Sequence, residues 1–264
     1  MRVVICDSAE AAISRVADHI SRHIQSQPKT VLGLATGGTM ERLYAVLREM
    51  HETGLSFAGV KAFNLDEYVG ISSEHPQSYA HYMKQHLFDH IDINQDYCFI
   101  PSGTEHPFEA SRDYENLLSE HGPIQLQLLG LGHNGHIGFN EPGSSLASRT
   151  REKALSQTTL EKNKRYFSKD EKMPLSAITM GIQSITDSKE IVLMALGAEK
   201  AQAVKSMVEG PLSAFCPASV LQMHPRVTVV LDAAAADELT LKDHYIFSER
   251  LQKRREAAVS ASTS

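Results

Sequence analysis

Residues 124–142 read IQLQLLGLGHNGHIGFNEP, and the change of character halfway along is the first clue to the architecture. The first nine residues form a near-continuous apolar run ending in glycines. A strand of that kind is covered on both faces, as in a parallel sheet flanked by helices. The polar residues that follow, His133, Asn134, His136 and Glu141, are therefore delivered to the carboxyl edge of the sheet. That edge is where open α/β sheets bind ligands.

Working outward from this run, the same rhythm recurs. RVVIC (2–6) reads as a strand. Asp7 follows as an N-cap with Glu10 at the capping-box position, and Ile13, Val16, Ile20 and Ile24 stand at helical spacing. TVLGLA (30–35) is a strand, TGGT a turn, and Met40, Leu43, Tyr44 and Leu47 mark one face of a helix. VKAFNLD, YCFIP, EIVLMALG and RVTVVLD read as further strands. SYAHYMKQHLFDHI, FEASRDYENLLSEHG and AEKAQAVKSMVEG read as helices. The alternation predicts an α/β fold with a doubly wound, mostly parallel sheet flanked by helices, spanning 1–264 as one domain. The polar stretch 155–176 interrupts the rhythm and is predicted to be a lid insertion. The small, polar tail from about 255 to 264 is predicted to fray.

Composition narrows the function classes. The 264 residues carry a formal net charge of −6, which argues against nucleic acid or an anionic membrane as the main partner. Cys6, Cys98 and Cys216 are odd in number and widely spaced, so neither a disulfide framework nor a structural zinc site is expected. The start MRVVICDSAE lacks the pattern of a signal peptide, and IVLMALGA is too short to span a bilayer. A cytoplasmic protein is expected.

Three motifs can carry chemistry. LATGGTME (34–41) places Thr36, Gly37, Gly38 and Thr39 between a strand and a helix. Exposed backbone N–H groups, hydroxyls and a helix N-terminus suit a phosphate, although an ordinary tight turn reads the same way. FNLDEYVG (63–70) puts Asp66 and Glu67 just past a strand, where a carboxylate can be a general base, an N-cap or a solvated turn residue. In the third, His133 and His136 lie three apart with Gly135 between them and no HExxH pattern, which disfavours a metal site. A histidine proton relay fits better, oriented by Glu141 or Asn134; the alternative is a polar loop capping its own backbone. Arg165 in the lid and Lys200 at a helix start could each neutralise a phosphate or simply be solvated.

Taken together, LGLATGGT, FNLDEYVG with HPQSYAHYM, LGLGHNGHIGFNEPGSSLASRTR, and VEG with LQMHP resemble the glucosamine-6-phosphate deaminase family over about residues 1–248. The resemblance implies a Rossmann-like fold shared with sugar-phosphate isomerases and lactonases. It implies conversion of D-glucosamine 6-phosphate and water to D-fructose 6-phosphate and ammonia, with no metal or organic cofactor. His136 would open the sugar ring, with Glu141 and Asn134 orienting it. Asp66 would move the proton between C2 and C1. Thr36, Gly37, Gly38, Thr39, Arg165 and Lys200 would hold the phosphate.

The resemblance also implies an effector site at Ser144, Arg151 and Lys153, which in hexameric members takes N-acetylglucosamine 6-phosphate as activator. The C-terminal KDHYIFSERLQKRRE departs from the hexameric allosteric pattern, which weighs against that activation; members exist as monomers and as hexamers, so the resemblance leaves room for a homo-oligomer. Some members carry Asp where this chain has Asn134. No role is assigned to His133. The competing expectations are a galactosamine-6-phosphate deaminase, a 6-phosphogluconolactonase-like hydrolase and a non-enzymatic sugar-phosphate sensor.

Overall fold

The computed structural model describes residues 1–163, 167 and 173–262. Its frame is a seven-stranded parallel sheet built from β1 (Arg2–Cys6), β2 (Val31–Leu34), β3 (Lys61–Asn64), β5 (Cys98–Phe99), β6 (Leu126–Gly130), β9 (Ile191–Ala195) and β10 (Val227–Asp232). The spatial order is β1-β10-β9-β6-β2-β3-β5, and every adjacent pair is parallel. All residues of β2 and β9 are buried, as expected for strands covered on both faces. The fold class read from the sequence is the one observed.

The helices bury the stripes that their spacing predicts. In α1 (Ala9–Ser26), Ile13, Val16, Ile20 and Ile24 are buried; in α2 (Gly38–Glu52), Met40, Leu43, Tyr44 and Leu47 are. The cap of α1 differs from expectation: Ser8, not Asp7, accepts from the Ala11 N–H, at 3.1 Å. The helix predicted over 78–91 is also shorter. α3 (Tyr79–His86) stops where Leu87 leaves helical geometry, and a 3-10 turn follows at Phe88–His90. α4 (Pro107–His121) matches its predicted range closely.

A second sheet was not legible. β4 (Asp66–Tyr68), β7 (Arg151–Ala154) and β8 (Ser176–Thr179) form an antiparallel sheet in the order β4-β8-β7. The run VKAFNLD is therefore two strands joined at Leu65. The Leu65 N–H donates to the Leu34 carbonyl in the large sheet, and its carbonyl accepts from the Met180 N–H beside the small one, at 3.2 and 2.7 Å. A separate apolar cluster of Tyr68, Ile71, Phe139, Leu155 and Ala177 underlies the small sheet.

The remaining α-helices among the described residues are α5 (Gln157–Asn163), α6 (Ile182–Thr186), α7 (Ala201–Val208) and α8 (Lys242–Ser262). The predicted lid opens with α5, and residues 164–166 and 168–172 of it, including Arg165, lie outside the described residues. The stretch expected to fray from about 255 continues as α8 to Ser262. Among the described residues, no helix is long and apolar enough to cross a membrane.

The connections fix where a ligand can go. From β2 the chain winds outward to β3 and β5. It then returns to β6 beside β2 and winds the other way to β9 and β10. The carboxyl ends of β2 and β6 are thus the topological switch point, where the two crossovers diverge and leave a crevice.

Candidate active site

A cleft of about 290 Å³ occupies this switch point. Ala35 to Met40 line it from the end of β2, Leu65 and Asp66 from the end of β3, Gly130 to His133, His136, Gly138 and Phe139 from the end of β6, and Met194 to Leu196 with Lys200 from the end of β9. Tyr79 and Thr159 complete the wall. Asp66, His136, Thr36, Gly37, Gly38, Thr39 and Lys200, picked out separately along the sequence, therefore share one cleft.

The glycine turn supplies an anion-ready end. Gly37 is the N-cap of α2 and offers no side chain, so the N-terminus of that helix faces the cleft uncapped by any side chain. Lys200 ends a 3-10 turn, Ala198–Lys200, on the adjoining wall. Asp232 steadies this turn by accepting from the Gly197 N–H at 3.0 and 3.1 Å and from the Ala235 N–H at 2.7 Å.

The opposite end carries the acid–base groups. Asp66 is 6% exposed. Burial, with the neighbouring Glu67 charge as a second cause, pushes its carboxyl up to about 8. The reading as a solvated turn residue fails, because Asp66 begins a strand and is enclosed. Glu67 points the other way and caps α3. Its carboxylate accepts from the N–H groups of Tyr68, Tyr79 and Ala80, each at 2.9 Å. Burial nevertheless raises its pKa, against the pull of those three bonds.

His136 sits over bare backbone. A Cβ on Gly132 would lie 2.2 Å from its ring, so only glycine allows this approach. His136 Nδ1 is turned inward, 3.4 Å from Glu141 Oε2, an ion-pair distance without hydrogen-bond alignment. Nε2 is thus the ring nitrogen left to exchange protons with a ligand.

Glu141 is the hub behind the ring. Its Oε2 accepts from Asn134 Nδ2 at 2.7 Å; its Oε1 accepts from Thr159 Oγ1 at 2.6 Å and Ser156 Oγ at 3.1 Å. Burial works against ionisation here, but His136, Thr159 and Asn134 outweigh it and hold the carboxyl at about 2. Asn134 spends its amide on Glu141, while its Oδ1 accepts from the His136 backbone N–H at 3.3 Å. It orients the carboxylate and the loop rather than the imidazole.

Ser144, Arg151 and Lys153 do not line the cleft. Ser144 is buried and Lys153 half-buried, whereas Arg151 Nη1 donates to Asn140 Oδ1 at 2.6 Å. His133 lines the cleft with its ring 6.1 Å from that of His136. Of the alternatives read for the Asp66–Glu67 pair, Glu67 takes the helix-capping role; sequence reasoning missed Ser156 and Thr159 as supports. The S-x-x-T spacing at the start of α5 was the available signal, since Ser156 Oγ accepts from the Thr159 N–H at 3.2 Å as an N-cap does.

A doubly wound sheet thus carries an uncapped helix N-terminus, a lysine, a buried carboxylate and a histidine–carboxylate pair around one switch-point cleft, a set suited to binding an anion and moving protons. The chain belongs to the family of glucosamine-6-phosphate isomerases and 6-phosphogluconolactonases, whose model matches residues 6–230. It is 54% identical over 246 residues to the glucosamine-6-phosphate deaminase of Hahella chejuensis, covering 93% of this chain and 94% of that one. It is 48% identical to the Colwellia psychrerythraea deaminase, covering 95% and 94%. A solved structure of a monomeric glucosamine-6-phosphate deaminase superposes with a TM-score of 0.87 at 44% identity, covering 90% of this chain and all of that one. The 6-phosphogluconolactonase of Trypanosoma brucei, 19% identical with a TM-score of 0.69 and covering 90% and 98%, shares the fold.

Proposed function

We propose that this protein converts D-glucosamine 6-phosphate and water to D-fructose 6-phosphate and ammonia. The observation that carries the reading is Asp66, a buried carboxylate with its pKa raised to about 8, lining the same cleft as a histidine backed by an ionised glutamate. Isomerisation needs such a base at C2, whereas lactone hydrolysis does not.

The phosphate docks at Thr36 to Thr39 and Lys200, with Arg165 of the lid as a further cation. His136 moves a proton between the ring oxygen and the anomeric hydroxyl, and Glu141 stabilises the imidazolium that forms in passing. Asp66 then takes the C2 proton of the open aldose and returns it to C1 through the enolamine. Water adds to the ketimine at C2 and the C–N bond breaks, releasing ammonia.

The test is ammonia release from glucosamine 6-phosphate and from its galacto epimer, run beside hydrolysis of 6-phosphogluconolactone. The reading expects ammonia from the gluco substrate, faster than from the galacto one. Lactone hydrolysis without ammonia would assign the chain to the other branch of its family.

A further inference from the structure

The small sheet places one arginine in line with the base. In the antiparallel register, Thr179 of β8 pairs with Asp66 of β4 on one side and with Arg151 of β7 on the other. Directly opposed residues of an antiparallel ladder project from the same face. Asp66, Thr179 and Arg151 therefore form one cross-strand row.

The histidine loop lies against this row. Gly138 has φ +55°, and a Cβ there would sit 2.9 Å from Thr179 Oγ1 and 3.3 Å from Asp66 Oδ2. The Phe139 N–H donates to Thr179 Oγ1 at 3.1 Å. Asn140 is completely buried and uses both ends of its amide: Nδ2 donates to the Ile137 and Met180 carbonyls, each at 2.8 Å, and Oδ1 accepts from Arg151. His136 and Glu141 flank this anchored stretch.

The geometry points to Arg151 as a positioning residue that braces the relay loop against the face carrying Asp66, by gripping Asn140. One guanidinium nitrogen, Nη1, is committed to a neutral amide next in sequence to Glu141. This differs from the effector contact that the family resemblance implies for the same arginine. The inference rests on the deaminase reading, because only a reaction using both Asp66 and His136 needs their spacing held.

The test combines kinetics with hydrogen exchange. Arg151→Ala is expected to lower kcat for ammonia release by about 10- to 100-fold, the cost of a small displacement of catalytic groups, with KM within about twofold. Arg151→Lys keeps one donor and should recover part of the loss; it also serves if the alanine variant does not fold. In an Asn140→Ala background, Arg151→Ala should add nothing further. Amide exchange across 137–141 should quicken in the single variant, and its pH–rate limbs should move. Wild-type kcat in Arg151→Ala, or additive losses in the double variant, would overturn the proposal. So would activation of the wild type by N-acetylglucosamine 6-phosphate that Arg151→Ala abolishes with basal kcat intact. If the wild type releases no ammonia, the deaminase reading fails, and unchanged exchange across 137–141 then separately rejects the brace.

Discussion

Asp66 is asked to be two things, buried and ionised, and the conflict sets its pH behaviour. Its pKa of about 8 means that kcat/KM should rise with pH through that region, because only the carboxylate can take the C2 proton. Asp66→Asn should cut turnover by about 10²–10⁴-fold while a non-reacting sugar phosphate binds nearly as before. Loss of binding in parallel with turnover would place Asp66 among the binding groups instead. Asn134 gives a second residue-scale prediction. Its Nδ2 donates to Glu141 at 2.7 Å, so Asn134→Asp brings two carboxylates into contact. Like charges at that distance cannot both ionise freely. Glu141 would then rise from its value of about 2, a shift read from the titration of the Glu141 carboxyl carbon by NMR, since Asp66 sets the ascending limb of kcat/KM. A Glu141 titration superimposable on that of the wild type would reject this assignment.

At the scale of elements, the site depends on two helix starts. Glu67 receives the first N–H groups of α3 and so holds Tyr79 at the cleft wall. Its charge is also the second cause of the raised Asp66 pKa. Glu67→Gln should therefore move the ascending limb of kcat/KM to lower pH. It should also cost about 1–2 kcal/mol of stability, since an amide nitrogen would oppose the Ala80 N–H; denaturant titration at pH 7 measures that term. α5 is tied to Glu141 through Thr159. Thr159→Val removes the 2.6 Å bond and should raise the Glu141 pKa, read from the same carboxyl titration that Asn134→Asp shifts.

Legibility followed the strength of the periodic signal. β2, β6 and β9 are continuous apolar runs, and α1 and α2 bury i, i+3, i+4 stripes, so both kinds of element could be read directly. REKA (151–154) and SAIT (176–179) carried no such signal. They are four residues each, β7 is half-exposed, and they pair only because the fold brings them beside Asp66. The same reason hid the burial of Asp66: a DE pair after a strand reads as a solvated turn until β8 and Gly138 close over it. The sequence exposed the chemistry of the cleft before it exposed the shell that holds the cleft in place.

For the whole molecule, the switch point concentrates ionisation and stability in the same few residues. The folded pKa of Asp66, about 8, lies above the ordinary 3.8. As pH rises between these values, the unfolded chain gives up a proton that the folded chain keeps, so this group's contribution to stability falls. Glu141 behaves oppositely: held at about 2 against the ordinary 4.5, it contributes stability above about pH 4.5 and loses it as pH falls toward 2. These two groups place the stability optimum on the acid side of neutrality, while activity should still be rising with pH. Asp66→Asn separates the two curves. Its melting temperature should exceed that of the wild type by several degrees at pH 8 and converge with it near pH 4, even as turnover collapses at every pH. Parallel melting curves across this range would mean that Asp66 ionises in the folded state as easily as in the unfolded one. The buried base, and the deaminase chemistry built on it, would then need a different residue.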